Sequence, residues 1–207
     1  RVLELKARPA TAPAITDDDL FAPRPSNAAD LVRIAELEAA GRDAAEALGR
    51  AAEAVPQLNA LMGQPLPLTA SYWADGVLSL RLCGTEAGVK TAVELLGGER
   101  MNEAASRSWW QTVREQARPE FDLSEGERLW RISVPDTAPV ADSDGLFAIE
   151  WGGGLRWYRT GAAAREMRAL AQNAGGHATL FRGAAAVGET VFTPLPEALL
   201  AINQRLK

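Results

Sequence analysis

The dipeptide Asp75-Gly76 stands between two strand-like runs, "PLTASYW" and "VLSLRLC", and this hairpin signal limits the possible folds more than any other feature of the chain. Leu78, Leu80 and Leu82 alternate with Ser79 and Arg81, so one face of the hairpin needs a covering layer. A helical pattern supplies it. "TEAGVKTAVELLGG" sets Val89, Ala92, Val93 and Leu96 on one side, with Thr85 as N-cap and Gly97 as the stop. Ahead of the hairpin, "NAADLVRIAELEAAG" carries Leu31, Ile34, Ala35 and Glu38 at helical spacing and predicts a helix ending near Gly41. "RDAAEALGRAAEAVPQLNALMG" predicts another, with Ala44, Ala47, Leu48, Ala51 and Val55 on one stripe and a kink or interruption at Pro56. With the strand-like opening "RVLELKARP" ahead of these helices and a short strand expected near residues 98 to 102, the order is β-α-β-β-α-β.

That order recurs after an amphipathic helix around "EAASRSWWQTVREQA". "RLWRISVP" reads as a strand, "DTAPVADSDG" as a short helix or loop, and "LFAIEWGGGLRWYR" as a hairpin turning at three glycines. "AAAREMRALAQN" reads as a helix and "HATLFR" as the closing strand. The expected fold class is therefore α+β, a duplicated ferredoxin-like (β-α-β-β-α-β) domain with an antiparallel sheet and helices packed on one face. The halves share pattern and little residue identity. The terminal "PLPEALLAINQRLK" predicts an amphipathic helix with Leu195, Ala198, Leu199, Ile202 and Leu206 along one side.

Composition narrows the function classes. At 207 residues and 47% hydrophobic content the chain can bury a sizeable core. A net charge of −5 without a dense Lys/Arg cluster argues against a nucleic-acid partner. Cys83 and His177 are each single, so there is no internal disulfide framework and no zinc site made by these two alone; a reducing, cytoplasmic setting is expected. No apolar run reaches the ~20 residues of a membrane span, and no signal peptide is expected. The proline-rich stretch 9–27 reads as an irregular connection, and Asp17-Asp18-Asp19 within it as a solvated loop without the ligand alternation of an EF-hand. "RVLELKARP" opens the chain with strand-like residues and no methionine, as though cut from a longer polypeptide.

Strand parity suggests a site. Trp130, Ile132 and Val134 share one face of their strand, with Arg131 and Ser133 on the other. Arg156 and Tyr158 lie opposite Leu155 and Trp157. Ala178 and Leu180 look inward, leaving His177, Thr179 and Phe181 on the far side, and Arg182 goes inward unless a bend releases it. In a ferredoxin-like unit the last strand lies beside the first and the first beside the third, so Arg131, Arg156 and His177 are expected on one open sheet face. Two guanidiniums there suit a small carboxylate. Surface arginines on a solvated face, and a structural or surface histidine, are the alternative reading. Trp109, Trp110, Trp151 and Trp157 read as core and interface residues. "WGGGL" lacks dinucleotide-fingerprint spacing and opens no helix, so it is a turn; G-x-S-x-G, phosphate-loop and H-E-x-x-H patterns are absent.

The words "QPLPLTASYW.DG.LSLRL", "GVKTAVELLGGE", "LWRISVP.TAP", "IEWGGGLRWY", "NAGGHATLFRG" and "F.PLPEALL" together resemble the FAD-linked oxidase family, in its glycolate-oxidising branch. The resemblance implies a C-terminal cap domain over 64–207, its second ferredoxin-like half about 127–183. It further implies a connection and helical segment over 10–63, and over 1–9 the terminal strand of an FAD-binding domain that this chain lacks. FAD is then the cofactor of the full-length protein, and none is expected on this fragment, which alone is expected to be inactive. Implied partners are the N-terminal FAD domain, a second flavin subunit, an iron-sulfur subunit and a small 2-hydroxy acid, glycolate, which the whole complex oxidises to glyoxylate. Related oxidases hold a metal with a pair of cap histidines, which a chain with one histidine cannot reproduce, so no metal is expected. The resemblance implies substrate binding by Arg131, Arg156, Tyr158 and Arg182, with His177 as candidate proton acceptor. A non-catalytic module that docks the other subunits is the alternative.

Overall fold

The computed structural model describes residues 29–34, 44–97, 99–141 and 144–206. The expected strand over 1–9, the connection 9–27 with its Asp17–Asp19 triplet, and the 35–41 part of the first expected helix lie outside the described residues. The first half runs β1 (Ala29–Ile34), α1 (Ala44–Met62), β2 (Leu68–Ala74), β3 (Val77–Cys83), α2 (Glu86–Leu96) and β4 (Glu99–Met101). A connection follows, made of α3 (Glu103–Arg114) and a 3-10 turn at Pro119–Phe121. The second half runs β5 (Arg128–Ser133), β6 (Leu146–Glu150), β7 (Leu155–Thr160), α4 (Ala164–Asn173) and β8 (His177–Arg182), and α5 (Glu197–Leu206) comes last. All eight strands form one antiparallel sheet in the order β4-β1-β3-β2-β6-β7-β5-β8.

Local chemistry explains most of these elements. Asp75 and Gly76 both take positive φ, 48° and 77°, the turn whose twist suits a tight hairpin, and Ala74 faces Val77 across it. Thr85 accepts the Gly88 N–H at 3.2 Å and opens α2; Gly97 at φ 66° donates to the Val93 carbonyl and closes it. Asn102 caps α3 through the Ala105 N–H at 2.9 Å. α4 begins at an alanine that cannot cap, and its Ala164 N–H instead reaches Glu189, 25 residues further on. No local pattern announces that cap.

Two expectations are corrected. The segment expected as a helix from Asn27 is a strand over Ala29–Ile34, paired from Ala29↔Cys83 to Ile34↔Leu78 on one side and from Leu31↔Met101 on the other. So short an apolar stretch satisfies both helical and strand periods, and two non-local ladders decide the matter. The interruption expected at Pro56 is absent, since α1 continues to Met62. Pro56 and Ala52, whose carbonyl the proline cannot satisfy, both lie on the exposed side of α1, where water can take the missing bond.

The sheet carries core on both faces. On the helix-covered face, Ala51, Ala54, Val55 and Leu58 of α1 meet Trp73, Leu78, Leu80 and Ile149. α2 brings Val89 and Ala92 to Leu82, and α4 brings Met167 and Ala171 to Trp130, Ile132 and Tyr158. The opposite face was expected to be polar and open. It carries a second core instead, in which Val113 of α3 and Phe121 cover Tyr72, Leu129, Ala148, Leu155 and Trp157. The edge of β8 is not bare either: Leu180 N–H bonds the Val191 carbonyl and Thr193 N–H the Ala178 carbonyl, which blunts an edge open to association.

The glycine pair between α4 and β8 does two separate jobs. Gly175 takes φ 76° beyond the end of α4, and Gly176 lies so close to β5 that an added Cβ would sit 1.9 Å from the Ser133 carbonyl oxygen. Gly176→Ala is therefore expected to lower stability by about 3 kcal/mol, through forced displacement of backbone. A urea melt showing a lower midpoint at unchanged slope would bear this out, and an unchanged midpoint would show that β8 does not approach β5 this closely.

Candidate functional site

Antiparallel partners share a face, so the strand registers sort the candidate residues. Arg131 lies opposite Trp157 of β7 and Thr179 of β8. Ser133 lies opposite Leu155 and His177, Leu155 opposite Glu150, and Glu150 opposite Tyr72. These residues look out on the face away from α1, α2 and α4. Arg156 pairs with Ile132 and Tyr158 with Trp130, which puts both on the helix-covered face. The expected gathering of Arg131, Arg156 and His177 on one open face is thus corrected: Arg131 and His177 share it, while Arg156 lies under the helices together with Tyr158.

Arg156 is 1% exposed. Its Nε donates to the Gly153 carbonyl at 3.2 Å, one terminal nitrogen to the Pro139 carbonyl at 2.7 Å and the other to the Ala138 carbonyl. Burial lowers its pKa, and among the described residues no acid pairs with it. It clamps the loop after β5 to the glycine turn. Tyr158 is equally buried, which pushes its phenol above the ordinary range. Arg182 is released from the inward set by a register shift in the β5–β8 ladder, as the expected bend requires; it donates to the Gln116 carbonyl at 3.1 Å. His177 is exposed at the first position of β8.

The open part of the face centres on Arg131. Its guanidinium lies 5.5 Å from the Trp151 ring and, among the described residues, donates no hydrogen bond. Glu150 stands nearby, one of its oxygens accepting from the Trp157 indole N–H at 2.6 Å. Burial raises the Glu150 pKa, and the Trp157 bond and the charge of Arg131 offset this only in part. Trp151 is 65% exposed and takes φ 53°, which a bulky side chain rarely adopts. The following Gly152 donates to the Ser71 hydroxyl at 2.8 Å, so the main chain tucks toward α1 while the indole stays outside. Sequence reasoning treated Trp151 as core or interface and passed over Glu150. An acid ending a strand just before a glycine run was the available signal.

A second missed cluster lies toward the β2–β3 turn on the same face. Tyr72 donates to Glu120 at 2.8 Å, Arg118 pairs with the same carboxylate at 2.5 Å, and the Arg118 guanidinium lies 4.8 Å from the Trp109 ring. These residues line a cavity of about 650 Å³ with Ser79, Val77 and Phe147. For Glu120, burial raises the pKa, but the bonds from Arg118, its own backbone and Tyr72 outweigh it and leave it lowered. Tyr72 is pushed far up, first by burial and then by the Glu120 charge. Among the described residues no group of three His, Cys, Asp or Glu could hold a metal ion, and no helix is long and apolar enough to cross a membrane.

Over 155 residues the chain is 41% identical to the glycolate oxidase subunit GlcE of Escherichia coli (strain K12), a match spanning 75% of this chain and 41% of that protein. The chain thus spans less than half the length of this relative, and the likeness read from the motif words extends over three quarters of the chain. No family model matches. No solved structure matches either.

Two outcomes follow, one for the two arginines and one for the Glu120 network. Arg156→Met leaves three carbonyls without their donor and is expected to cost about 2–4 kcal/mol, whereas Arg131→Ala should change stability by less than about 0.5 kcal/mol; paired urea melts check the contrast. Because the Glu120 pKa is lowered on folding, its contribution is complete above the ordinary glutamate range and fades as pH falls through the folded value. Glu120→Gln should flatten the acid limb of a stability-versus-pH profile, and an acid limb identical to wild type would count against this network.

Proposed function

We propose that this chain is the C-terminal cap, over 64–207, of a GlcE-like subunit in an FAD-dependent oxidase acting on glycolate or a similar 2-hydroxy acid. The observation that carries the reading is the extent of the likeness to GlcE. The sheet order supports a duplicated ferredoxin-like cap: β4-β1-β3-β2 and β6-β7-β5-β8 are the same arrangement read from opposite ends, with the second half about 127–183. The Arg131 face, which α1, α2 and α4 leave uncovered, is the one we turn toward the flavin.

The described residues do not fit the phosphate end of FAD. The glycine turn opens no helix and lies beneath α1, where a Cβ on Gly153 would meet the Asp136 carbonyl at 2.7 Å. We therefore assign the flavin to an N-terminal FAD domain outside this chain. What these residues offer is recognition: the unpaired guanidinium of Arg131 to a substrate carboxylate, with His177 bordering the same face. In this reading the isolated chain is inactive, the whole protein works in the cytoplasm, and a second flavin subunit and an iron-sulfur subunit are its partners.

One observation favours a second reading, in which the cap is chiefly an assembly surface for those subunits. α5 buries none of its residues, and Leu199, Leu200 and Ile202 are about half exposed. The experiment that separates the two uses the full-length, FAD-loaded complex. Arg131→Ala is expected to weaken glycolate binding about ten- to a hundredfold, the worth of one charge-assisted hydrogen bond, with the complex still assembled. Undiminished binding, together with loss of assembly when Leu199 and Ile202 are made polar, would favour docking.

A further inference from the structure

We infer that Glu150 and Arg131 form a two-point clamp for a 2-hydroxy carboxylate, the guanidinium taking the carboxylate and the free oxygen of Glu150 accepting the hydrogen bond of the 2-hydroxyl. The inference rests on the reading above, and it assigns hydroxyl recognition to Glu150 and not to His177.

Three features of the face support it. First, Glu150 is held in place: one oxygen is bound by the Trp157 indole, itself 1% exposed, and among the described residues the other oxygen takes no hydrogen bond. Trp157 is the residue opposite Arg131 in the β5–β7 ladder, so the group that orients the acid is the cross-strand neighbour of the base. Second, Arg131 and Glu150 sense each other without pairing: the Arg131 charge acts on Glu150, yet the two make no salt bridge, and Arg131 stacks on Trp151, the residue after the acid. A cation and an anion held in one half-buried patch with unused hydrogen-bonding capacity are complementary to a ligand carrying an acceptor at one end and a donor at the other. A carboxylate next to a hydroxyl is the smallest such ligand. Third, the exposed Trp151 at positive φ forms an apolar rim against which a short carbon chain can lie.

His177 lacks these supports. It stands exposed at the end of the row, three strands from Glu150, and among the described residues nothing orients its ring. Among the described residues the charged and titratable groups that face Glu150 are Arg131 on β5 and Tyr72 on β2 with its partner Glu120; His177 on β8 is separated from it by two strands. Tyr72 stays neutral beside Glu120, so the acceptor is lost only when Glu150 itself takes a proton. Burial raises its pKa, so hydroxyl recognition should weaken as pH falls through a value above the ordinary glutamate range, while carboxylate binding by Arg131 persists.

The test uses the full-length, FAD-loaded subunit and two acids that cannot be oxidised at the 2-carbon to a 2-oxo acid, so binding is read without turnover. Calorimetry compares 2-hydroxyisobutyrate with isobutyrate, which lacks only the hydroxyl. Wild type should prefer the hydroxy acid by about tenfold or more. Glu150→Gln, which still accepts from Trp157, should cut that preference to about threefold or less without weakening isobutyrate binding, which also reports a folded site. His177→Gln should leave the preference intact. Full preference in Glu150→Gln, or its loss in His177→Gln, overturns the clamp while the cap reading survives, provided Arg131→Ala weakens both acids. If wild type binds neither acid, or Arg131→Ala weakens neither, the cap reading and the clamp fall together.

Discussion

The seam between β2 and β6 is the interaction on which the rest of the molecule depends. Only three residue pairs form it, Tyr72↔Glu150, Trp73↔Ile149 and Ala74↔Ala148, yet they turn two four-stranded halves into one sheet. Both strands would otherwise be edges, with unpaired backbone groups open to association. The seam also sets the phase of the two faces. Trp73 and Ile149 join the core beneath α1, while Tyr72 and Glu150 emerge together on the other side. A slip of β6 by one residue would bury Glu150 under the helix and turn Ile149 out of the core.

From that phase follows the division of the arginines. Arg131 and Arg156 come from neighbouring strands and have the same chemistry, but cross-strand pairing places them on opposite faces. One is enclosed by three backbone carbonyls and serves the fold. The other stacks on an indole with the charge of Glu150 nearby and, among the described residues, donates no hydrogen bond. The contrast shows why a guanidinium says little about its role until its donors are accounted for: buried donors must be satisfied by the protein, while exposed ones are left to water or to something that replaces water.

The connection through α3 and the turn at Pro119–Phe121 limits how much of the second face is open. Phe121 and Val113 cover part of the face, and the Arg118–Glu120–Tyr72 network lines the cavity near the β2–β3 turn. What remains uncovered is a strip from Glu150 and Trp151 past Arg131 to Thr179 and His177.

The sequence by itself determined what short-range chemistry controls. The Asp75-Gly76 hairpin, the Thr85 and Gly97 ends of α2, the second hairpin at the glycines, and α4 with its closing strand were all legible, because each depends on neighbours a few residues away. Tertiary structure alone decided what depends on pairing across the sheet. β1 became a strand because β3 and β4 flank it, Glu189 capped α4 from 25 residues away, and the face expected to be polar acquired a core from α3. The candidate site divides along the same line. Parity within one strand put Arg131 on the correct face, but only the register between strands could separate it from Arg156 and bring Glu150 and Trp157 beside it, since alternation orders residues along a strand and says nothing of which neighbour stands opposite.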